Sequence, residues 1–157
     1  MEIYGQLIGY SGYDVIDSVI FAYWMPAVKV VGRVVQHPFA GGYKVHVSVD
    51  LADADRVARS VLPILQEMKF SHKVVYPLSA YASMNGGDQK GKFITIYVGP
   101  FMYSFLALVN RLDAVLVEME AVPGPQAMDR LAEHLQPEQR IGLCGLLTYV
   151  TVADYRS

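Results

Sequence analysis

Two residue types that can move protons alternate along one strand-like stretch of the sequence. In residues 43–49 valines take every second position from Val45 onwards, while Lys44, His46 and Ser48 take the positions between them. Successive side chains of a strand point to opposite faces, so this alternation predicts a strand with one buried face and one polar face. The lysine and the histidine on the polar face could act in general acid–base chemistry. A solvated lysine and a structural histidine would give the same local pattern.

A third protonatable side chain lies on the next strand-like segment. Lys73 stands near the start of residues 72–78, which are typical of a short strand, so Lys44, His46 and Lys73 could meet across one sheet. A phosphoesterase with paired histidine motifs finds less support. Such enzymes need two histidines that are each followed two positions later by serine or threonine, and His46 alone among four histidines meets this condition.

The sequence offers no recognisable metal or nucleotide site. The four histidines and Cys144 show none of the short spacings that zinc ligands take. The glycines of residues 83–92 match neither a Walker loop nor a dinucleotide-binding fingerprint, both of which need fixed spacing between a strand and a helix. We therefore expect no metal and no cofactor.

Length and composition are those of one ordinary domain, and we expect residues 1–157 to form a single domain. Apolar residues make up 53% of the chain, which predicts thick packing or a surface covered by a partner. With a net charge of −2, no overall field draws the chain to nucleic acid or anionic lipid. The single cysteine, the lack of a signal-like start and the charges that interrupt residues 15–35 predict a cytoplasmic protein that does not enter a membrane.

Strand and helix periodicities mix along the chain without a regular βαβ order. Besides residues 43–49, we expect strands within 72–78, 92–98 and 145–156. Apolar residues at helical spacing predict a helix within 50–70 that is irregular after Pro63, and another from Pro100 to Glu118. Residues 125–135 predict a further helix. The fold class is therefore α+β, with a mixed or antiparallel sheet packed against helices.

Three segments resemble, in order, the motifs of a known enzyme family. They are residues 41–51 with the spacing Lys-x-His-x-Ser, residues 70–75 around Lys73, and residues 91–98 with the run Gly-Lys-Phe-Ile-Thr-Ile-Tyr. Read together, they resemble the phosphothreonine lyases among bacterial type III effectors, and still more the lyase domains of class III and IV lanthipeptide synthetases. The C-terminal strand carries a fainter echo of the same pattern.

This resemblance implies removal of phosphate from phosphoserine or phosphothreonine in a precursor peptide, which leaves a dehydroamino acid without a metal or a cofactor. By match to the family, Lys73 is the base that takes the α-proton, as an amine kept neutral by its surroundings. His46 is the acid that protonates the departing phosphate. Lys44 and Tyr97 match residues that line the site, where they stabilise charge on the substrate carbonyl.

This sequence offers fewer cationic residues for binding the phosphate than the effector lyases have. Those enzymes have several arginines, and they have a lysine two residues after the strand tyrosine, where this chain has Gly99. A buried dianion needs paired cations, so we expect Lys90 or Lys92 in the glycine-containing loop and Arg156 near the end to bind the phosphate. Solvated loop lysines and an untethered terminus are the alternative.

Two classes of function stay open. The first is a standalone lyase that acts on a phosphorylated precursor peptide after a separate kinase, in lanthipeptide-like biosynthesis. An effector acting on a host protein fits less well, because the sequence shows no disordered secretion segment. The second class is a catalytically degenerate lyase fold that binds a precursor peptide or a partner kinase. The apolar composition also predicts association of the chain with itself or with that kinase.

Overall fold

An antiparallel sheet packed against helices forms the part of the chain that the structure describes. This computed structural model describes residues 4–15, 21–25, 30–31, 34–35, 37–84, 89–129 and 136–155. The helices are α1 (Tyr4–Tyr10), α2 (Ala54–Glu67), α3 (Leu78–Ser83) and α4 (Met102–Glu118), and a 3-10 turn covers Leu51–Asp53. The strands are β1 (Asp14–Val15), β2 (Phe21–Trp24), β3 (Val30–Val31), β4 (Val34–Val35), β5 (Gly42–Val47), β6 (Ser71–Val75), β7 (Ile94–Gly99), β8 (Met128–Asp129), β9 (Gln136–Pro137), β10 (Gln139–Arg140) and β11 (Leu147–Val152).

Within those residues, seven strands join in one sheet of order β1-β2-β6-β7-β5-β11-β10. Every neighbouring pair in this sheet is antiparallel. Two short pairs, β3 with β4 and β8 with β9, lie outside it. The predicted α+β class is confirmed, as are the predicted strands that became β5, β6, β7 and β11.

One face of the sheet is covered by helices α2 and α4. Because strand side chains alternate, apolar residues at every second position of the central strands point to this face. Each fully buried aliphatic side chain stabilises the fold by about 1.5–3 kcal/mol. The buried cluster unites Val45, Val47, Val74, Ile94 and Ile96 of the sheet with Val57, Val61 and Leu65 of α2 and with Phe105, Leu108 and Leu112 of α4.

Two predictions about helices need correction. Helix α2 does not become irregular after Pro63, because its buried positions continue past the exposed proline and their packing outweighs the hydrogen bond that proline removes. The helix predicted for 125–135 is wrong where the structure describes it, since Met128–Asp129 is a strand. The Ser48 hydroxyl donates to the Pro125 carbonyl and holds this segment extended. Residues 130–135 of that prediction lie outside the described residues.

The described part of residues 15–35, which charges interrupt in the sequence, contributes to the core. Phe21 and Ala22 of strand β2 are buried in the main apolar cluster. Residues 16–20, 26–29 and 32–33 lie outside the description. Among the described helices, none has both the length and the apolar character to cross a bilayer.

The face of the sheet away from α2 and α4 carries polar side chains. Paired residues of neighbouring strands share a face, and Lys73, Thr95, His46 and Thr148 stand side by side across β6, β7, β5 and β11. A second row, displaced by two residues along the strands, contains Ser71, Tyr97, Lys44 and Val150. The register of four strands thus places the residues singled out from the sequence on one surface.

A β-bulge lies at one end of this surface. Lys44 pairs with Tyr97, but Tyr43 pairs with Gly99, so β7 has one extra residue between the two pairs. The Tyr155 hydroxyl donates to the Tyr43 carbonyl at 2.6 Å and accepts from the Gly99 amide at 2.8 Å, which ties the two strands together at the bulge. Gly42 is needed there because its φ is +137° and a Cβ would lie 2.2 Å from the Gly99 carbonyl group.

His72 on β6 is a structural histidine. It is fully buried, its Nδ1 lies 2.8 Å from the Phe70 carbonyl, and its Nε2 lies 2.6 Å from the Tyr13 hydroxyl. The carbonyl can only accept, so Nδ1 carries the proton and Nε2 accepts from Tyr13. Burial lowers the pKa of His72 to about 4, and the bond to Phe70 opposes this shift only in part.

We expect His72 to make folding stability depend on pH below neutrality. The unfolded chain binds a proton near the ordinary histidine pKa of 6.5, whereas folded His72 stays neutral down to about 4. The free energy of unfolding therefore falls as pH falls through this window, by about 1.4 kcal/mol per pH unit for one such group. Urea denaturation of the protein and of His72→Gln between pH 7 and 4.5 should show a shallower pH slope for the variant. Equal slopes would contradict the assignment.

Candidate active site

The centre of the polar face is a buried pair formed by His46 and Glu138. The His46 Nδ1 lies 2.7 Å from Glu138 Oε1, and the Thr148 hydroxyl donates to the same oxygen at 2.9 Å. All three side chains are almost completely buried, with 2–3% of each residue exposed. A buried carboxylate is stable only when hydrogen bonds replace its hydration, and these two donors supply them.

The backbone around Glu138 is held by the segment that precedes β8. The Glu138 amide donates to the Ala127 carbonyl at 2.9 Å, and the Gln126 side-chain amide donates to the Glu138 carbonyl at 2.8 Å. These bonds bring the chain between β9 and β10 over the polar face of the sheet. Glu138 reaches His46 from a position 92 residues further along the chain.

Burial and the neighbouring charges determine the protonation state of His46. Burial lowers the pKa of His46 to about 4; Glu138 opposes the shift, and the charges of Lys92 and Lys44 add to it. Burial acts to raise the pKa of Glu138, but hydrogen bonds from His46 and Thr148 and the charge of Lys92 hold it below its ordinary value. An ionised carboxylate only accepts, so neutral His46 carries its proton on Nδ1 and presents the lone pair of Nε2.

A small polar pocket opens beside this pair. Its free volume is about 10 Å³, which is room for about one water molecule. Lys92, with 5% of its surface exposed, is one of its walls, so this loop lysine is buried at the site rather than solvated. The pocket is lined by Lys44, His46, Lys92, Asp129, Glu138, Val150 and Val152.

Tyr97 and Lys73 lie on the same face but outside the lining of this pocket. The Lys44 Nζ is 5.8 Å from the centre of the Tyr97 ring, as expected for paired residues on one face. The Lys73 Nζ lies 4.0 Å from the centre of the Phe21 ring, on the side of β6 away from His46. The structure therefore gathers Lys44, His46 and Lys92 in one pocket, whereas the amine of Lys73 is directed elsewhere on the surface.

The other two expected phosphate ligands are not part of this pocket. Lys90 is half-buried in the loop before β7 and does not line the cavity, although Lys92 two residues later does. Arg156 lies outside the described residues. Within the described ranges, no three side chains of His, Cys, Asp or Glu type come together in an arrangement that could hold a metal ion.

Three residues near the site have no signal in the sequence. Glu138 and Asp129 belong to two-residue strands or their connection, too short for any periodicity to reveal them. His37 packs against the Tyr97 ring with centroids 4.2 Å apart, and its buried Nδ1 has no hydrogen-bond partner. Burial and the charges of Lys44 and Lys73 lower the pKa of His37 to about 4. In the sequence Phe39 stands two residues after His37, so His37 lacks the paired histidine motif.

The fold is that of the phosphothreonine lyases. The type III effector and phosphothreonine lyase OspF from Shigella flexneri matches with a TM-score of 0.60 and 15% identity, over 95% of this chain and 75% of that one. The phosphothreonine lyase effector VirA (SpvC) from Chromobacterium violaceum matches with a TM-score of 0.54 and 13% identity, over 91% of this chain and 67% of that one. Another solved phosphothreonine lyase has a TM-score of 0.55 and 14% identity, with coverage of 96% and 72%.

Sequence comparison identifies a family. No curated protein matches the chain in sequence. Residues 23–131, however, match the family model of the N-terminal domain of RamC. This segment spans β2 to β8 and includes Lys44, His46, Lys73, Lys92 and Tyr97. Since it makes up more than half of the sequence, the chain belongs to the RamC N-terminal domain family.

Proposed function

We propose that this protein is a phosphoserine or phosphothreonine lyase that acts on a phosphorylated precursor peptide in lanthipeptide-like biosynthesis, after a separate kinase. The observation that carries the proposal is the shared face of Lys44, His46, Lys73 and Tyr97, in a fold similar to that of phosphothreonine lyases. Two of these residues adjoin a pocket with the further cation Lys92.

The reaction is a β-elimination in which two groups act at opposite ends of the scissile bond. The uncharged amine of Lys73 takes the α-proton, the electrons of that C–H bond form the Cα=Cβ double bond, and the Cβ–O bond breaks. The phosphate leaves with the electrons of the broken bond and takes a proton from Nε2 of His46. Products are the dehydroamino acid and inorganic phosphate, with no water consumed.

His46 must acquire its proton when the substrate arrives. Resting His46 is neutral because burial lowers its pKa to about 4. A phosphate dianion beside Nε2 raises that pKa, since it stabilises the imidazolium, and the carboxylate of Glu138 on Nδ1 stabilises the same charge from behind. Glu138 thus positions His46 and supports its charged form, without touching the substrate itself.

The other polar side chains of this face stabilise negative charge on the substrate or take its α-proton. Lys92, next to the His46–Glu138 pair, balances the charge of the phosphate. Lys44 and the Tyr97 hydroxyl stabilise the charge that develops on the substrate carbonyl. Lys73 is on the strand two positions away from β5, so its long side chain has to turn from Phe21 towards Thr95 to reach an α-carbon bound near His46.

A second candidate function is a degenerate lyase fold that binds a precursor peptide or a partner kinase without turnover. Two observations favour it: the pocket holds about one water molecule, and the Lys73 amine rests on the Phe21 ring. Catalysis requires both features to change when the substrate binds. A binding protein does not require this.

Elimination can be tested with a synthetic phosphoserine peptide and mass spectrometry. We expect the protein to remove the mass of one phosphoric acid from the peptide, Lys73→Met to abolish the reaction, and His46→Asn to slow it by about 10²–10⁴-fold. The exposed Lys69 gives a matched control, since Lys69→Met makes the same substitution away from the site and should leave the rate unchanged. A product that keeps its hydroxyl group would mean phosphatase activity. Binding without any product would favour the degenerate fold.

The role of Glu138 has its own test. Glu138→Gln keeps the shape but removes the charge that supports protonated His46, so the rate at saturating peptide should fall about 10–100-fold, part of the contribution of a general acid. The ¹⁵N shifts of His46 should show Nδ1 protonated in the unmodified protein and a changed tautomer in the variant. Glu118→Gln, at the exposed end of α4, is the control. An unchanged rate and tautomer would remove Glu138 from the mechanism.

A further inference from the structure

Strand β11 has a free edge beside the candidate active site. One side of β11 pairs with β5 from Leu147 to Val152, whereas β10 on the other side pairs only with Thr148 and Tyr149. The Leu147 carbonyl accepts from the Ile141 amide at 3.1 Å, on the β10 side. Main-chain groups of alternate residues point to the same side, so those of Tyr149 and Thr151 also point away from β5. Within the described residues, no strand pairs with Thr151 on that side.

The edge is free because the chain before β10 pairs with another strand. In a continued ladder Pro137 would stand opposite Thr151, two residues beyond the Gln139–Tyr149 pair, but Pro137 pairs with Met128 of β8 and has no amide hydrogen to donate. The main-chain groups of Glu138 point away from β11, to Ala127 and Gln126, and its side chain bonds to His46 on the polar face. The β10–β11 ladder therefore ends at Gln139.

A groove of about 450 Å³ lies along this free edge. This volume is within the range of pockets that bind ligands. Tyr43, Tyr149 and Thr151 line it on the helix side of the sheet, and Asp129, Glu138 and Val150 line both the groove and the catalytic pocket. The two spaces therefore lie next to each other and share these three wall residues, so a chain in the groove lies close to the pocket that contains Lys44 and Lys92.

We propose that the groove is the substrate channel, in which the phosphorylated peptide adds as a strand to the free edge of β11 and bonds to the main chain of Thr151. This proposal rests on the proposed function for the identity of the peptide. Strand addition turns alternate side chains to opposite faces, so the phosphorylated residue faces Lys44 and Lys92 while its neighbours face Tyr43 and Tyr149. The phosphate lies against the amines of Lys44 and Lys92, which share the pocket with the carboxylates of Asp129 and Glu138, and its uncharged neighbours fit the tyrosine rings.

The test separates main-chain bonding from chemistry. A fluorescent phosphoserine peptide of about eight residues is titrated against the Lys73→Met protein, which binds without turnover. Thr151→Pro removes the outward amide and should weaken binding about tenfold, since one main-chain bond is lost and the ring obstructs the added strand. Thr151→Val keeps the amide and changes only the side chain, so an equal loss of binding in this variant would assign the effect to the side chain and contradict main-chain bonding. Proline is tolerated on strand edges, and thermal melting checks that the variant folds.

A second measurement leaves the protein unaltered. Methylating the peptide nitrogens one at a time should weaken binding at every second position and leave the positions between unaffected, because a strand bonds through alternate amides. Unchanged binding by Thr151→Pro together with no alternation would overturn the edge proposal. Loss of a protein dimer in Thr151→Pro, with peptide binding intact, would also overturn it and would assign the edge to a second copy of the chain.

The outcomes distinguish this proposal from the proposed function. If elimination proceeds but methylation shows no alternation, the proposed lyase activity is supported and strand addition to the edge of β11 is wrong. If methylation alternates but no phosphate is lost, the edge binds the peptide in a degenerate lyase fold.

Discussion

A carboxylate stays charged inside a protein only where hydrogen bonds replace its hydration, and Glu138 satisfies this constraint through His46 and Thr148. Much of the site follows from this one arrangement. The carboxylate fixes which nitrogen of His46 carries the proton. It also holds the chain between β9 and β10 against the polar face, where Glu138 is one wall of the small pocket. A structural need, the solvation of one buried charge, therefore determines both the protonated nitrogen of His46 and one wall of the pocket beside it.

In the proposed reaction, the cations around His46 determine that it becomes protonated only after the phosphate has bound. Lys44 and Lys92 help to keep His46 neutral while the pocket holds no anion, because a third positive charge there is unfavourable. A phosphate dianion reverses that balance. In the proposed lyase the acid is therefore formed by its own substrate, and a neutral peptide would leave the imidazole unprotonated. This dependence on the charge of the substrate is a form of selectivity that needs no contact with the peptide sequence.

The sequence predicts the position of residues that lie in elements long enough to show a regular pattern of apolar side chains. Strands β5, β7 and β11 and helix α4 show a clear apolar periodicity over six residues or more. This periodicity predicts which face of each element is buried, and it places Lys44 and His46 on the polar face of β5. Glu138 could not be predicted in this way, because its partner is distant in sequence and its flanking strands have two residues each. Tertiary bonds to Ser48 and Glu138 also keep residues 125–127 out of a helix, which local propensity could not show. The direction of the Lys73 amine depends on rotamers, which no sequence pattern encodes.

The bulge between β5 and β7 bears on how such a site can evolve. A one-residue slip in a strand exchanges its two faces, so an insertion within Lys44–Val47 would bury the lysine and expose the valines. At the bulge, where the Tyr155 hydroxyl bonds to both strands, the extra residue of β7 already accommodates a one-residue shift of register. Loops beyond that point can gain or lose a residue without changing the phase of the strands inside it. Length variation among related chains is therefore compatible with an unchanged constellation outside the paired segment, and the bulge marks the boundary of that segment on the Tyr43 side.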